Sequence, residues 1–414
     1  MPGALDELRV LDFSRVLAGP FATMMLGDLG AEVIKVERPG GGDETRSWGP
    51  PFDARGEATY FLSVNRNKRS VALDLGDRAD LERARELALE ADVLVENFRP
   101  GLMERFGLSY ERLQADNPGL IYCSITGFGR GGGAELPGYD LLVQALGGLM
   151  SITGPADGEP QKVGVALVDV LTGLFAVVGV LAALRHRERS GVGQRVEVSL
   201  LGSLLAALVN QGSAYTVAGV VPRRMGNAHP SIAPYELYRT AEGELVLAVG
   251  NDRQFRALCR VLGDPELAED ARFASNRERV ANRQALRDAL EALLARRSAA
   301  QWARALTAAR VPAGSVNDLA AAYQLAARLG LEPIVEVPEQ AAPTAGADEP
   351  DPAGEPVRLT RNPIALSQTP PSYRLAPPRL PGPASREIGF SPSTSGRDRD
   401  GHHHHHHQNQ QPHR

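Results

Sequence analysis

The body of this sequence is nearly without histidine. Of its nine histidines, six sit in the run within Gly401–Gln408 and one is His413, which leaves only His186 and His229. The ending "GHHHHHHQNQQPHR" reads as an expression tag and is set aside from fold reasoning. Metal chemistry built on several imidazoles is therefore disfavoured, and a charge-relay site would have to use one of the two that remain. Cysteine is equally scarce: Cys123 and Cys259 stand alone. That argues against a disulfide framework or a Cys-rich zinc site and fits a reducing cytoplasm. No strong charge of either sign is present, since the formal net charge is −5. Neither nucleic acid nor an acidic membrane surface is an expected partner. The start "MPGALDELRVLDF" lacks a basic segment followed by an apolar run, so no secretory signal is expected.

One long hydrophobic run exists. From Val163 to Leu184 only Asp169 and Thr172 are polar. Its length would span a bilayer, but a carboxylate and three glycines interrupt it and no second such run occurs, so a buried helix of a soluble domain is the expectation. An ionised carboxylate among apolar neighbours is costly unless compensated. Asp169 either caps the following helix or serves as a functional carboxylate at a helix start, where the dipole keeps it ionised. Composition alone leaves these two readings equal.

A length of 414 residues predicts two or three domains. Strands are predicted at "LRVLDF" (8–13), "AEVIKVE" (31–37), "SVALDL" (70–75), "DVLVENF" (92–98) and "LIYCSITGF" (120–128). Helices are predicted at "FATMMLGDLG", with Pro20 at its first turn, and at "DLERARELALEAD". Alternating strands and helices predict a Rossmann-like, mostly parallel sheet in an α/β domain. Ligands bind beyond the carboxyl ends of such strands. That points to residues 14–19, Arg38, residues 97–99 and residues 127–133. Residues 163–219 read as helical throughout. "PYELYRT" and "ELVLAVG" then read as a hairpin, followed by helices in 252–263, 282–297 and 298–310, the last with Ser298 and Gln301 at capping-box spacing. The expected organisation is a large domain over 1–220, a smaller α+β domain over 221–330, a C-terminal segment over 331–392 that returns to the large domain, and a disordered tail over 393–414. "AAPTAGADEPDPAGEP" reads as an exposed loop.

Several motifs admit a functional and a structural reading. Glu37 ends the second strand where a dinucleotide-binding fold places a ribose ligand, yet only Gly19 lies between Phe13 and Met24, so the glycine fingerprint is missing. Arg38 suits a phosphate or a purine, or is simply a solvated surface residue. "NRNKRS" gathers Arg66, Lys68 and Arg69, which would attract a polyanion or form an ordinary solvated loop. "TGFGRGGG" (126–133) permits close backbone approach to a ligand, or is a flexible loop. His229, beside a proline, reads as structural.

Taken in order, "VLDFSRVLAGP", "LGDLGAEVIKVERPGGGD", "NRNKRSVALDL", "DVLVENFRPG", "GYDLLVQALGGLMSITG", the run from Val163 and "GNAHPSIAPYELYRTAEGELVLAVGNDRQF" resemble the family III CoA-transferases, the group of formyl-CoA transferase and carnitine CoA-transferase. The resemblance covers most of the chain. It implies that Asp169, with Gly173 four residues on, is the nucleophile of a ping-pong exchange through a covalent aspartyl-CoA thioester. It implies CoA contacts at Leu17, Ala18, Arg38, Leu73, Asn97, Phe98, Arg99 and Arg105, with Tyr139 of the "GYD" element added. It further implies acyl-CoA and a free carboxylic acid as substrates, no permanently bound cofactor, no metal, and an interlaced homodimer. Arg15, Pro137-Gly138 and Gly250-Asn251 depart from the formyl-CoA transferase pattern, which points to a larger or dicarboxylic acid rather than the oxalate/formyl pair. The related 2-methylacyl-CoA racemases use a histidine in "GHD" where this chain has Tyr139, so transfer is favoured over racemisation. A non-catalytic acyl-CoA-binding relative is the remaining alternative, against which Asp169 stands.

Overall fold

The computed structural model describes residues 2–339 and 355–392. The expected loop over 341–356 falls largely outside them, as does the tail from residue 393.

A six-stranded sheet is built from β1 (Arg9–Asp12), β2 (Glu32–Glu37), β3 (Lys68–Ala72), β4 (Val93–Glu96), β5 (Ile121–Thr126) and β6 (Arg195–Ser199). Its order is β3-β2-β1-β4-β5-β6, and the pairs from β3 through β5 are parallel. This is the Rossmann order, with its switch point between β1 and β4. Continuous apolar runs mark strands covered on both faces: Val10, Leu11, Val93, Leu94 and Ile121 are wholly buried. Helices Ala18–Asp28 and Arg78–Glu90 supply crossovers. Asp77 caps the second by accepting from the N–H groups of Ala79 and Asp80.

Residues 163–219 are not helical throughout. The helix begins at Leu167 and ends at Ser190, and "RVEVS" forms β6. A five-residue strand with β-branched alternate positions is a weak signal between two apolar helices, and only its pairing beside β5 reveals it. The long helix is not buried all round either. Val168, Thr172, Ala176, Val180, Ala183 and Leu184 form its buried face. Leu174, Phe175, Val178 and Leu181 are exposed. By length and composition it is the one helix among the described residues that could cross a membrane. A Cβ added to Gly179 would lie 2.7 Å from Val196 Cγ1, so this glycine lets the helix sit close on β6.

The chain divides into two compact units. The first contains the residues up to Ile125, Ala176–Glu197 and the described chain from Glu336 on; the second contains Thr126–Phe175 and Val198–Val335. The boundary expected at 220/221 falls inside the second unit. In the first, the C-terminal segment is fastened to the sheet layer: Asn67 Oδ1 accepts from the N–H groups of Arg374 and Leu375, and Asn362 Nδ2 donates to Asp28.

In the second unit β7 (Tyr235–Arg239), β8 (Glu244–Ala248) and β9 (Ala313–Ser315) form an antiparallel sheet. Alternation along β7 and β8 turns Tyr238, Leu245 and Leu247 inward onto Phe255, Leu258, Leu290, Trp302 and Leu306 of three helices. The Ser298–Gln301 capping box is present, with bonds of 3.0 and 3.3 Å.

Candidate active site

In the first unit, pairing aligns the carboxyl ends of four strands. Asp12 is level with Lys35 and Val95, and Glu37 with Ala72. The residues that follow these strands therefore emerge along one edge: Leu17 and Ala18 after β1, Arg38 after β2, Leu73 after β3, and Asn97, Phe98 and Arg99 after β4. Arg105 ends the short helix Leu102–Arg105 that follows. Arg38, Arg99 and Arg105 are exposed, while Leu17, Ala18 and Leu73 are buried. Exposed guanidinium groups and buried apolar residues in the segments that follow these strands suit a phosphorylated ligand with a planar base. Asn97 joins the two sides of the switch point, as its Oδ1 accepts from Arg15 N at 2.9 Å and its Nδ2 donates to Arg15 O at 2.7 Å. The Arg15 guanidinium lies over the Phe98 ring at 5.0 Å.

Beneath this edge lies a buried charge network. Lys35 pairs with Asp43 at 2.9 Å and donates to Ser14 O at 2.7 Å. Lys68 donates to Asp12 at 3.1 Å, to Pro20 O and to Asn65. Burial alone would raise the Asp12 and Asp43 carboxyls, but Lys68 and Lys35 at Asp12, and Lys35 at Asp43, hold both below their ordinary range. Burial pushes Lys68 down to about 8 against the opposing pull of Asp12. Val16 sits at φ +70°, a left-handed conformation that a β-branched residue rarely adopts. Its N–H lies 3.3 Å from each Asp43 oxygen. The loop after β1 is thus held from below by Lys35 and Asp43 and from the side by Asn97.

One expectation changes here, and the disfavoured ribose reading of Glu37 finds no support. "NRNKRS" is neither a polyanion site nor a solvated loop. Arg66 is buried in a two-pronged pair with Asp28 at 2.9 and 2.7 Å, Lys68 is buried on Asp12, and Arg69 pairs with Glu32. Glu37 is spoken for, since its oxygens accept from Arg46, Ser70 and the Asp43 N–H. That leaves it no role as a ribose ligand.

In the second unit the path to Asp169 starts at the glycine-rich loop. Gly127 and Gly138 cross so closely that a Cβ on Gly138 would lie 2.7 Å from Gly127 Cα. The crossing returns the chain to Tyr139, which is exposed at 62%, and to Asp140, which opens helix Asp140–Leu146. Asp140 Oδ2 accepts from the N–H of Val168 at 2.8 Å and of Asp169 at 3.1 Å. The cap of the long helix is therefore Asp140, and not Asp169 as one of the two sequence readings had it. No hydrogen bond among the described residues engages the Asp169 carboxylate. It is half-buried, and burial first, then the charge of Asp140, push it up to about 7. The helix dipole is opposed here: the N–H groups of Val168 and Asp169 are taken by Asp140, and desolvation disfavours the charged form without abolishing it near neutral pH. Such a carboxylate holds nothing in the fold together and is available to react.

The sequence reading missed Asp140 and Gln144 on one side and Lys35 and Asp43 on the other. "D-x-x-x-Q" at helical spacing was the available signal for the first pair. His229 Nδ1 accepts from Ser231 N at 3.1 Å and its ring lies 5.2 Å from Tyr235, contacts that fit the structural reading. Among the described residues no cluster of three His, Cys, Asp or Glu side chains could hold a metal ion. Cys123 and Cys259 are buried free thiols.

Comparison with known proteins accords with this arrangement. The family model "CoA-transferase family III" matches residues 5–382. The succinate–glutarate CoA-transferase of Agrobacterium fabrum is 44% identical over 385 residues, 91% of this chain and 92% of the relative. The acetyl-CoA:oxalate CoA-transferase of Acetobacter aceti is 45% identical over 325 residues, 78% of this chain and 83% of the relative. A crystal structure of a CAIB/BAIF family protein from Brucella suis superposes with a TM-score of 0.79 at 42% identity, covering 92% of this chain and 97% of that one. The chain belongs to CoA-transferase family III and is a transferase.

Proposed function

We propose that this enzyme moves CoA from a dicarboxylic acyl-CoA to a free dicarboxylic acid, with Asp169 as the covalent relay. The observation that carries the reading is the state of Asp169: a half-buried carboxylate, pushed up to about 7, that makes no hydrogen bond among the described residues. An Asp169 oxygen attacks the donor thioester carbonyl, the C–S bond breaks, and a mixed anhydride and CoA thiolate result. The thiolate attacks the Asp169 side of the anhydride and expels the donor acid as its carboxylate, leaving an aspartyl-CoA thioester. The acceptor carboxylate then attacks that thioester, and the same two steps run in reverse. A carboxylate suits this role because it serves in turn as nucleophile and as leaving group, as the exchanged acids do. Raised basicity favours attack while leaving a large ionised fraction near neutral pH.

Leu17, Ala18, Arg38, Leu73, Asn97, Phe98, Arg99 and Arg105 are proposed as the CoA-binding edge. Their place at the carboxyl ends of β1 to β4 supports this. Tyr139 is proposed as a further contact of the acyl-CoA, supported by its exposure next to Asp140. The name of the Agrobacterium relative, which spans nearly the whole chain, supports succinate and glutarate as the exchanged acids, with succinyl-CoA as the proposed donor. No permanent cofactor enters the scheme. A homodimer is supported by the exposed apolar side chains Leu174, Phe175 and Val178 on the long helix, and Val209, Tyr215 and Val217 on helix Val209–Ala218. Covering the long helix in this way also favours a soluble enzyme over a membrane span, and the buried free thiols suit the cytoplasm.

The test is a matrix of succinyl-CoA, glutaryl-CoA, acetyl-CoA and formyl-CoA donors against succinate, glutarate, oxalate and acetate. Highest kcat/KM for the succinyl–glutarate pair supports the reading. Preference for acetyl-CoA with oxalate, or for a monocarboxylic pair, overturns the substrate assignment.

A further inference from the structure

Asp140 and Gln144 stand four residues apart on helix Asp140–Leu146 and so share one face. Between them they hold both ends of residues 163–169. Gln144 Oε1 accepts from Val163 N at 2.9 Å, and Asp140 Oδ2 accepts from Val168 N and Asp169 N at 2.8 and 3.1 Å. The two side chains are tied to each other, Gln144 Nε2 donating to Asp140 Oδ1 at 2.5 Å. Gln144 is 1% exposed, which is costly for an amide unless all its bonds are made. Each oxygen of Asp140 is thus committed, and its carboxylate acts electrostatically on Asp169. Among the other charged side chains close in sequence, Glu135, Asp157, Glu159 and Lys162 are exposed, and Lys162 donates to the Val163 carbonyl at 3.3 Å.

We infer that Asp140, backed by Gln144, is the positioning residue of this transferase: it fixes the Asp169 backbone by holding the first turn of the catalytic helix, and it sets the charge environment in which the Asp169 carboxylate attacks. The inference rests on the reading of Asp169 as nucleophile. An ordinary cap would need only Asp140's oxygen; the added charge is what distinguishes this role, and an isosteric amide separates the two. The capping oxygen survives in Asp140→Asn, while the charge and the acceptor for Gln144 Nε2 do not.

Three readouts test it: kinetics across pH, thermal melting, and the pH dependence of carbodiimide modification of Asp169, mapped by peptide mass spectrometry in substrate-free enzyme. Asp140→Asn should melt somewhat below the parent for the lost Gln144 bond, keep KM for acyl-CoA within about twofold, and move both the acid limb of kcat and the Asp169 modification curve down by about one pH unit as the like charge is removed. Asp140→Ala, which also loses the cap, should lower kcat by about 100-fold through misplacement of the nucleophile. Gln144→Leu should fall between the two. If the modification curve of Asp140→Asn stays in place and Asp140→Ala keeps kcat within about twofold, the inference is overturned. If the modification curve shifts but the kcat profile does not, Asp140 acts on Asp169 as inferred, and it is Asp169's part in the reaction that is rejected.

Discussion

The carboxamide of Asn97 grips the Arg15 peptide by both of its polar groups, at 2.9 Å to the N–H and 2.7 Å to the carbonyl. Asn97 directly follows β4, and Arg15 belongs to the loop after β1. One side chain thus fixes the spacing across the switch point where a doubly wound sheet binds its ligand. Asn97→Ala removes both bonds, each contributing about 1 kcal/mol. KM for acyl-CoA should rise by about tenfold with a smaller change in kcat. Steady-state kinetics with varied acyl-CoA at saturating acceptor acid measures this, and a change confined to kcat would contradict it.

Asp28 is wholly buried and receives Arg66 through two bonds, together with Asn67 and Asn362. Asp28→Ala leaves the Arg66 guanidinium buried without its counter-charge. A loss of about 3–5 kcal/mol of unfolding free energy is expected. Denaturant unfolding checks it, and a loss below about 1 kcal/mol would show that the pair is replaceable.

Gly138 and Gly127 pass at backbone contact, and a Cβ on Gly138 would meet Gly127 Cα at 2.7 Å. Neither partner atom is a flexible side chain, so the backbone must shift. Gly138→Ala should cost about 1–3 kcal/mol and should also displace Asp140, two residues on. Activity should therefore fall by more than the loss of folded protein explains. The measurement is kcat per folded molecule, with folded fraction taken from circular dichroism.

The pH behaviour of Asp169 follows from its direction of shift. Its carboxyl is raised from 3.8 to about 7 in the folded chain. Between these values the folded state binds more protons than the unfolded one, so stability falls as pH rises through that window and stays lowered above it. Asp169→Asn should remove the penalty. The variant should be more stable than the parent at pH 8 by about 1–2 kcal/mol, a figure reduced from the full shift because the residue is half-exposed. The two proteins should converge near pH 4. The parent's kcat should rise along an acid limb centred near 7, as the reactive form is the carboxylate. Melting curves and rate profiles over pH 4–9 check both, and equal stability of the two proteins at pH 8 would contradict the shift.

Legibility of this chain in its sequence followed range. Strands buried on both faces read as continuous apolar runs, and the order of strands and helices gave the parallel sheet. Strand β6 was hidden because "RVEVS" is short, lies at the sheet edge and is flanked by apolar helices. The basic run "NRNKRS" misled because its partners are remote: Lys68 meets Asp12 across 56 positions and Arg66 meets Asp28 across 38. The role of Asp169 stayed open for the same reason. Whether it caps its own helix depends on Asp140, 29 positions earlier. The Asp140–Gln144 spacing was visible, but nothing local says what it holds.

The central claim is that Asp169 becomes the aspartyl-CoA thioester. The direct measurement is incubation with succinyl-CoA without acceptor, quenching with hydroxylamine, and peptide mass spectrometry. The account predicts a hydroxamate on Asp169, absent when acyl-CoA is omitted, and an Asp169→Ala protein without transfer activity. A hydroxamate on another residue, or a fully active Asp169→Ala, would contradict it.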